Sequence, residues 1–244
     1  MNMSEYRIIP IFNQSAPGVW DDFLRIRSAT MTADYDMPLL AEDIAYAQKE
    51  YAHNWKTCSG NFAFGAFDQD NNMIGCVHGV VTQNVAHLGH LHVEPKYQGR
   101  RLGRRLLAAA QDAAAIMGAR RIELISMSKA RHFYEKMGYT GLSWTEYKKA
   151  LSGPRCVTAP VFYCKPALGR ACGLTPDTVK QINKLHSPMF VSYDHQSNVN
   201  GYAVLDSNGG MLIEVRDNNP RQIVRHALEK QVSEYLAHMT ALQR

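Results

Sequence analysis

The chain has 244 residues, enough for one large domain or two unequal ones, with 45% hydrophobic and 20% charged residues. That ordinary globular balance excludes a disordered, collagenous or coiled-coil chain. The net charge is +5, and Lys96–Arg105 (KYQGRRLGRR) holds five basic residues and no acidic one, so the remainder sums to zero. Basicity this local suits one polyanionic ligand site, and nucleic acid is not an expected partner. No run of 18 apolar residues exists, so no membrane span is expected. The opening MNMSEYRIIP lacks a basic start followed by an apolar core, so a secretory signal is not expected either. Five cysteines, at 58, 76, 156, 164 and 172, form no CxxC pair. That argues against a zinc site and a disulfide framework, and a cytoplasmic location is the expectation.

Tyr6–Phe12 reads as a first strand. Trp20–Arg27 reads as a helix with Trp20, Phe23 and Leu24 on one face. Pro38–Trp55 predicts a second helix, with Asp36 as its cap, Pro38 in its first turn, and Leu40, Ile44, Ala47 and Tyr51 at helical spacing. Three strands are predicted next, Asn61–Phe67, Met73–Thr82 and Val85–Val93, the first two joined by the turn composition DQDNN. Arg104–Met117 predicts a helix that stops at Gly118. A strand (Arg121–Ser126), a short helix (Lys129–Met137) closed by Gly138, and a final strand pair (Tyr139–Lys149, Val157–Cys164) follow. This order implies an α/β (α+β) layer structure, a mixed twisted sheet flanked by helices.

Pro166–Pro176 (PALGRACGLTP) has the composition of a linker. The expected division is a first domain of 1–168, a linker of 169–176 and a smaller α-β-β-β-α region of 177–244. In that region Thr175 can cap a helix from Pro176 to His186. Met189–Tyr193, Tyr202–Asp206 and Met211–Val215 read as strands, the last two around the hairpin signal Ser207–Gly210. Asn219 and Pro220 open a long helix whose apolar stripe runs from Ile223 to Met239. Some 68 residues make a marginal core. The stripe is therefore expected to be buried on the first domain or on a second subunit, a homodimer being one such arrangement.

The chemistry is concentrated in two stretches. Leu91–Leu107 (LHVEPKYQGRRLGRRLL) runs from a strand end through a basic, Gly-containing loop into a helix. A helix start offers free N–H groups and a positive dipole end, both suited to a pyrophosphate. About 30 residues on, Ala130–Tyr139 (ARHFYEKMGY) carries Phe133 and Tyr134 on a short helix before Gly138. The two stretches together resemble motifs of the GNAT superfamily of N-acetyltransferases. The family loop V-x-P-x-[YF]-[QR]-G-x-G-x-G is matched by Val93, Pro95, Tyr97, Gln98, Gly99 and Gly103. Its later signature A-x-x-[FL]-Y-x-x-x-G-[FY] is matched by Ala130, Phe133, Tyr134, Gly138 and Tyr139. The resemblance covers roughly residues 5–166. There are two departures: Arg101 stands where the family has the middle glycine of its loop, and Met127 where it often has asparagine.

The resemblance implies acetyl-CoA as co-substrate; two histidines of Val85–Val93 at i, i+2 could share a metal, but no third ligand is identifiable, so no metal is expected. It implies direct attack by a primary amine (of a small molecule, an amino acid or a peptide N-terminus) in a ternary complex. Backbone groups of Leu91, His92 and Val93 would hold the pantetheine and the oxyanion. Amides of Gln98, Gly99, Arg100, Arg101, Leu102, Gly103 and Arg104 would hold the pyrophosphate. Tyr134 would contact the cofactor and donate a proton to the leaving thiol. The base is sought among the histidines of Val85–Val93: His87 stands where several members carry a glutamate, and a histidine takes a proton near neutrality. Strand alternation places His87 with Leu91 and Val93, and His90 with His92 and Glu94, on opposite faces. A structural role for all three histidines stays open. So do two other functions, a toxin-type acetyltransferase acting on aminoacyl-tRNA and a non-catalytic acyl-CoA sensor. The tail's element order also resembles the middle of the same fold, with no phosphate loop in RDNNPR.

Overall fold

The computed structural model describes residues 6–12, 18–57, 60–141, 146–151, 158–162, 164–185, 187–194, 198–206, 210–215 and 221–242. Its contacts divide the chain into two units, Met1–Ile11 with Ser15–Ser152, and Phe12–Gln14 with Gly153–Arg244.

The first unit comprises β1 (Arg7–Pro10), α1 (Val19–Tyr35), α2 (Ala41–Thr57), β2 (Asn61–Phe67), β3 (Met73–Thr82), β4 (Val85–Val93), α3 (Leu102–Ile116), β5 (Arg121–Ile125), α4 (Arg131–Lys136), β6 (Thr140–Gly141) and β7 (Glu146–Ala150). The strands form one mixed sheet in the order β1-β2-β3-β4-β5-β7-β6. Only β4 and β5 run parallel; the other described neighbours are antiparallel. The apolar runs of β2 and β3 require cover on both faces, and both are buried for most of their length. On one face lies α3, with Leu102, Leu106, Leu107, Ala110, Ala113 and Ala114 inward. Its approach is close: a Cβ at Gly75 would stand 3.2 Å from Leu106. On the other face α1 buries Phe23, Leu24 and Ile26, and its Trp20 meets His78 of β3 at 6.3 Å between ring centroids.

Three details depart from the sequence reading. Helix α1 runs to Tyr35 instead of stopping at Arg27. Ile26 and Thr30 continue its buried face, and Thr30 spends its hydroxyl on the Ile26 carbonyl at 2.8 Å, so burial outweighs the weak helix propensity of SATMTAD. Asp36 closes α1, with φ 54° and its N–H bonded to the Met31 and Thr32 carbonyls. The start of α2 falls instead to Asp43, whose carboxylate accepts the Leu40 N–H at 3.2 Å. Tyr139–Lys149 is not one strand: β6 pairs with β7 as a hairpin.

The second unit comprises β8 (Thr158–Val161), α5 (Pro166–Ala171), α6 (Pro176–Leu185), β9 (Met189–Tyr193), β10 (Val199–Leu205), β11 (Met211–Val215) and α7 (Arg221–Leu242). Its antiparallel sheet runs β11-β10-β9-β8. The predicted pairing of Val157–Cys164 with the first sheet is thus corrected: β8 joins β9. The expected linker is corrected as well. Pro166 occupies the first turn of α5, where proline is tolerated. Gly169 is where α6 packs, and a Cβ there would fall 2.3 Å from Val179. Both apparent breakers are therefore helix-compatible, and the divide falls after Ser152. Thr175 caps α6 as expected, accepting the Thr178 N–H at 3.2 Å.

The stripe of α7 finds its cover inside this unit. Val224, Leu228, Val232 and Tyr235 are buried, with Val224 and Leu228 over Gly201 of β10 and Tyr235 against Phe190 of β9 at 5.9 Å. Phe12 joins this core, 5.2 Å from both Phe162 and Tyr235. Burial on a first domain or a second subunit is therefore not needed, although Ile223 remains exposed. The hairpin tip 207–209, the loop residues 216–220, His186, Cys58 and Cys156 lie outside the described residues. No helix among the described residues is long and apolar enough to cross a membrane.

Candidate functional site

The parallel pairing of β4 and β5 covers only Val85–Leu88 against Arg121–Leu124. Beyond Leu88 the β5-facing side of β4 has no strand partner, and the gap opens into a groove of about 1670 Å³. Its walls are β4 from His87 to Val93, the loop and first turn of α3, the end of β5 through Ser126, α4 with Phe133 and Tyr134, and one face of α1. All the predicted site residues except Arg100 line it.

The end of β4 is irregular. Cys76 pairs with His92 but His78 pairs with Gly89, so β4 carries an extra residue here. His90 absorbs it with φ 55°, a left-handed conformation that costs a non-glycine residue about 1–2 kcal/mol. The bulge resets the alternation. His87, Gly89 and His92 stand opposite Val80, His78 and Cys76, on the face of the sheet turned to α1, while Val93 shares the α3 face with Leu88. The expected grouping of His87 with Leu91 and Val93 is thereby corrected.

The loop after β4 is pinned from outside the groove. Glu94 pairs with Arg25 and, at 3.5 Å, with Lys96. The Tyr97 hydroxyl donates to Asp68 at 3.3 Å. Arg100 and Arg105 reach Tyr6, donating to its hydroxyl at 2.7 Å and its carbonyl at 2.9 Å. The Arg100 side chain is therefore turned from the groove, whereas Arg101 and Arg104 line it. Gln98 is held by the Val93 carbonyl at 3.2 Å and Asp34 at 3.3 Å.

The inner side of the loop is all backbone. The last loop amide with a partner is Gln98, donating to the Pro95 carbonyl, and the first intrahelical bond runs from Arg105 to Arg101. Between them the six N–H groups of Gly99 to Arg104 have no acceptor among the described residues. Gly99 has φ 76°, and nothing lies within 4 Å of where its Cβ would be. Arg101 also takes a left-handed conformation, φ 63° and ψ 9°, at the N-cap of α3. A run of amides around a helix start, glycine at its open edge and arginines beside it, fits a pyrophosphate.

Across the groove, Tyr134 is buried among Phe133, Tyr139 and Tyr147, at 5.0, 5.7 and 6.3 Å. Burial, then the neighbouring Tyr139 and Tyr35, push its pKa up, so the phenol stays protonated. Ser126 is buried and gives its proton to the Met127 carbonyl at 2.9 Å, and Met127 is largely exposed.

Residues 20–139 match the model of the acetyltransferase (GNAT) family. The first unit is a GNAT acetyltransferase domain. Among solved structures, a GNAT-family acetyltransferase from Staphylococcus aureus superposes with a TM-score of 0.51 at 16% identity, over 60% of this chain and 99% of that one. An acetyltransferase from Streptococcus agalactiae gives 0.51 at 16% identity, over 61% and 99%. At that identity these structures speak for the fold, which they share. No curated protein matches the chain.

Two groups of GNAT-domain residues in the groove were not singled out from the sequence. Arg27, Thr30, Met31, Asp34 and Tyr35 line it from α1; their i, i+3, i+4, i+7, i+8 spacing is one helix face, legible once the helix is extended past Arg27. Glu123 stands 4.0 Å from His87, which is half exposed. Of the histidines beside it, His78 is buried and His90 and His92 are partly buried. His90 stacks between His78 and His92, at 6.5 and 6.2 Å. Burial lowers the pKa of His78 to about 4, of His90 to about 3 and of His92 to about 4, Arg27 contributing for the last two. These rings are neutral at physiological pH. Among the described residues no three His, Cys, Asp or Glu side chains are grouped to hold a metal.

Proposed function

We propose that the GNAT domain is an N-acetyltransferase that passes the acetyl group of acetyl-CoA to a primary amine in a ternary complex. The observation that carries this reading is the groove, with six unpartnered amides on one wall and the protonated Tyr134 on the other. Acetyl-CoA supplies an acyl group activated as a thioester. Amides Gly99–Arg104, with the guanidinium groups of Arg101 and Arg104, take the pyrophosphate; the Gln98 amide, expected among them, is spent on the Pro95 carbonyl. Backbone groups of Leu91, His92 and Val93 on the side of β4 that β5 leaves unpaired align the pantetheine and face the carbonyl oxygen that gains charge. Tyr134 gives its proton to the sulfur as it leaves.

The attacking amine must lose a proton, and His87 is the proposed acceptor, directly or through a water. It lies on the α1 face of β4, half exposed, beside Glu123. His90 and His92 are poorer bases, because burial keeps them neutral down to about pH 3 and 4. The experiment is acetyl-CoA consumption across a panel of amine classes, with Tyr134→Phe as control. Consumption with one class, lost in the variant, supports the reading. Coenzyme A binding with no consumption for any amine would leave a sensor instead.

A further inference from the structure

The acceptor side of the groove holds a cation whose counter-charge is missing. Arg25 and Arg27 share α1, and Arg25 is fully engaged: it pairs with Asp22 at 3.0 Å and with Glu94, and donates to the Met73 carbonyl at 2.6 Å. Arg27 lines the groove, half-buried, and has no hydrogen bond or ion pair among the described residues. The next carboxylate on its helix face, Asp34, is two turns away and accepts from Gln98. A half-buried guanidinium that lines a groove with no bonded partner keeps its fork of donors open to an anion that a ligand supplies.

Acetyl-CoA does not supply it at this place. The anionic groups of the cofactor belong with the loop amides, Arg101 and Arg104. Arg27 instead sits where its charge is felt by His90 and His92 at the bulge, beside the strand end assigned to the pantetheine and the acetyl group, which are uncharged. The rings around it are neutral, and Lys129, a second cation lining the groove, is held over the Tyr35 ring at 5.5 Å, so the guanidinium of Arg27 is the fork left to face the reacting end. One such fork balances one carboxylate bidentately, whereas a phosphate monoester carries nearly two charges. We propose that Arg27 sets acceptor specificity and that the acceptor bears a free carboxylate near its amine: an amino acid or a short peptide. This rests on the acetyl-transfer reading of the groove.

The test measures acetyl-CoA-dependent rates for amino acids and dipeptides, each as the free acid and as the C-terminal amide, with wild type, Arg27→Gln and Arg27→Lys. Amidation makes the amine less basic and by itself favours the amide, so a preference for the acid reports recognition. The expected result is a wild-type preference for the acid above tenfold in kcat/KM. Arg27→Gln cuts that preference at least tenfold, through the KM of the acceptor, and Arg27→Lys keeps part of it. Free amino acids and dipeptides are separate arms and distinguish the two sources of the carboxylate. A wild type that uses amides as readily as acids overturns the proposal. So does an Arg27→Gln that slows both forms by one factor, since that is what a merely structural arginine would do. If coenzyme A binds by calorimetry but no acceptor of any class is acetylated, the acetyl-transfer reading itself falls, and this inference with it.

Discussion

Tyr134 can lose its hydroxyl and keep its packing, because its ring is held by Phe133, Tyr139 and Tyr147. Tyr134→Phe is expected to lower turnover more than tenfold, within the roughly 10²–10⁴ range of general acid catalysis, and to leave coenzyme A affinity within a few-fold. Steady-state kinetics beside calorimetry checks both. His87→Ala is expected to move the acid limb of the pH–rate profile to higher pH; an unmoved limb would assign the proton to water. Arg101 tests the loop backbone. Its left-handed conformation costs about 1–2 kcal/mol, and glycine there gives back about 0.4–1 kcal/mol in unfolded-chain entropy. Arg101→Gly should therefore raise stability by about 0.5–1 kcal/mol in urea unfolding, while weakening coenzyme A binding through the lost charge. The family motif alone marked Arg101 as a departure. That the backbone keeps the glycine conformation regardless is a fact of the fold.

At the scale of elements, β4 shows what periodicity reveals and what it hides. Its bounds, Val85–Val93, and those of β2 and β3 are the ones the sequence predicts; for β2 and β3 the reason is cover on both faces, which requires mostly apolar residues. The bulge at His90 was not legible, since one extra residue leaves no mark on composition and yet exchanges the faces beyond it. It also clusters three histidines whose pKa values lie below the ordinary 6.5. The folded state stays neutral where the unfolded chain takes up protons. Stability is thus full above about pH 6.5 and falls as pH drops toward 4, by about 1.4 kcal/mol per pH unit for each histidine. Thermal melts from pH 7 to 4 should show this slope, and His92→Asn should make it shallower. An equal slope in both proteins would mean that His92 titrates normally in the fold.

For the whole molecule, each unit has its own core, and the boundary escaped sequence reading because Pro166 and Gly169 mimic a linker while serving a helix. A chain cut after Pro166 keeps β8 and Phe12 but loses β9 and α7, against which they pack. It is expected to aggregate. A chain ending at Ser152 with Phe12→Ser is expected to stay soluble in light scattering. The same division bears on ligand stoichiometry, since the proposed cofactor site lies wholly within the first unit. The most direct measurement is calorimetric titration of the full chain with coenzyme A. One equivalent per chain is predicted, with affinity reduced by Gly99→Val, because a β-branched residue does not tolerate the φ of 76° that opens the loop. No binding at millimolar coenzyme A, or a second equivalent per chain, would contradict the account.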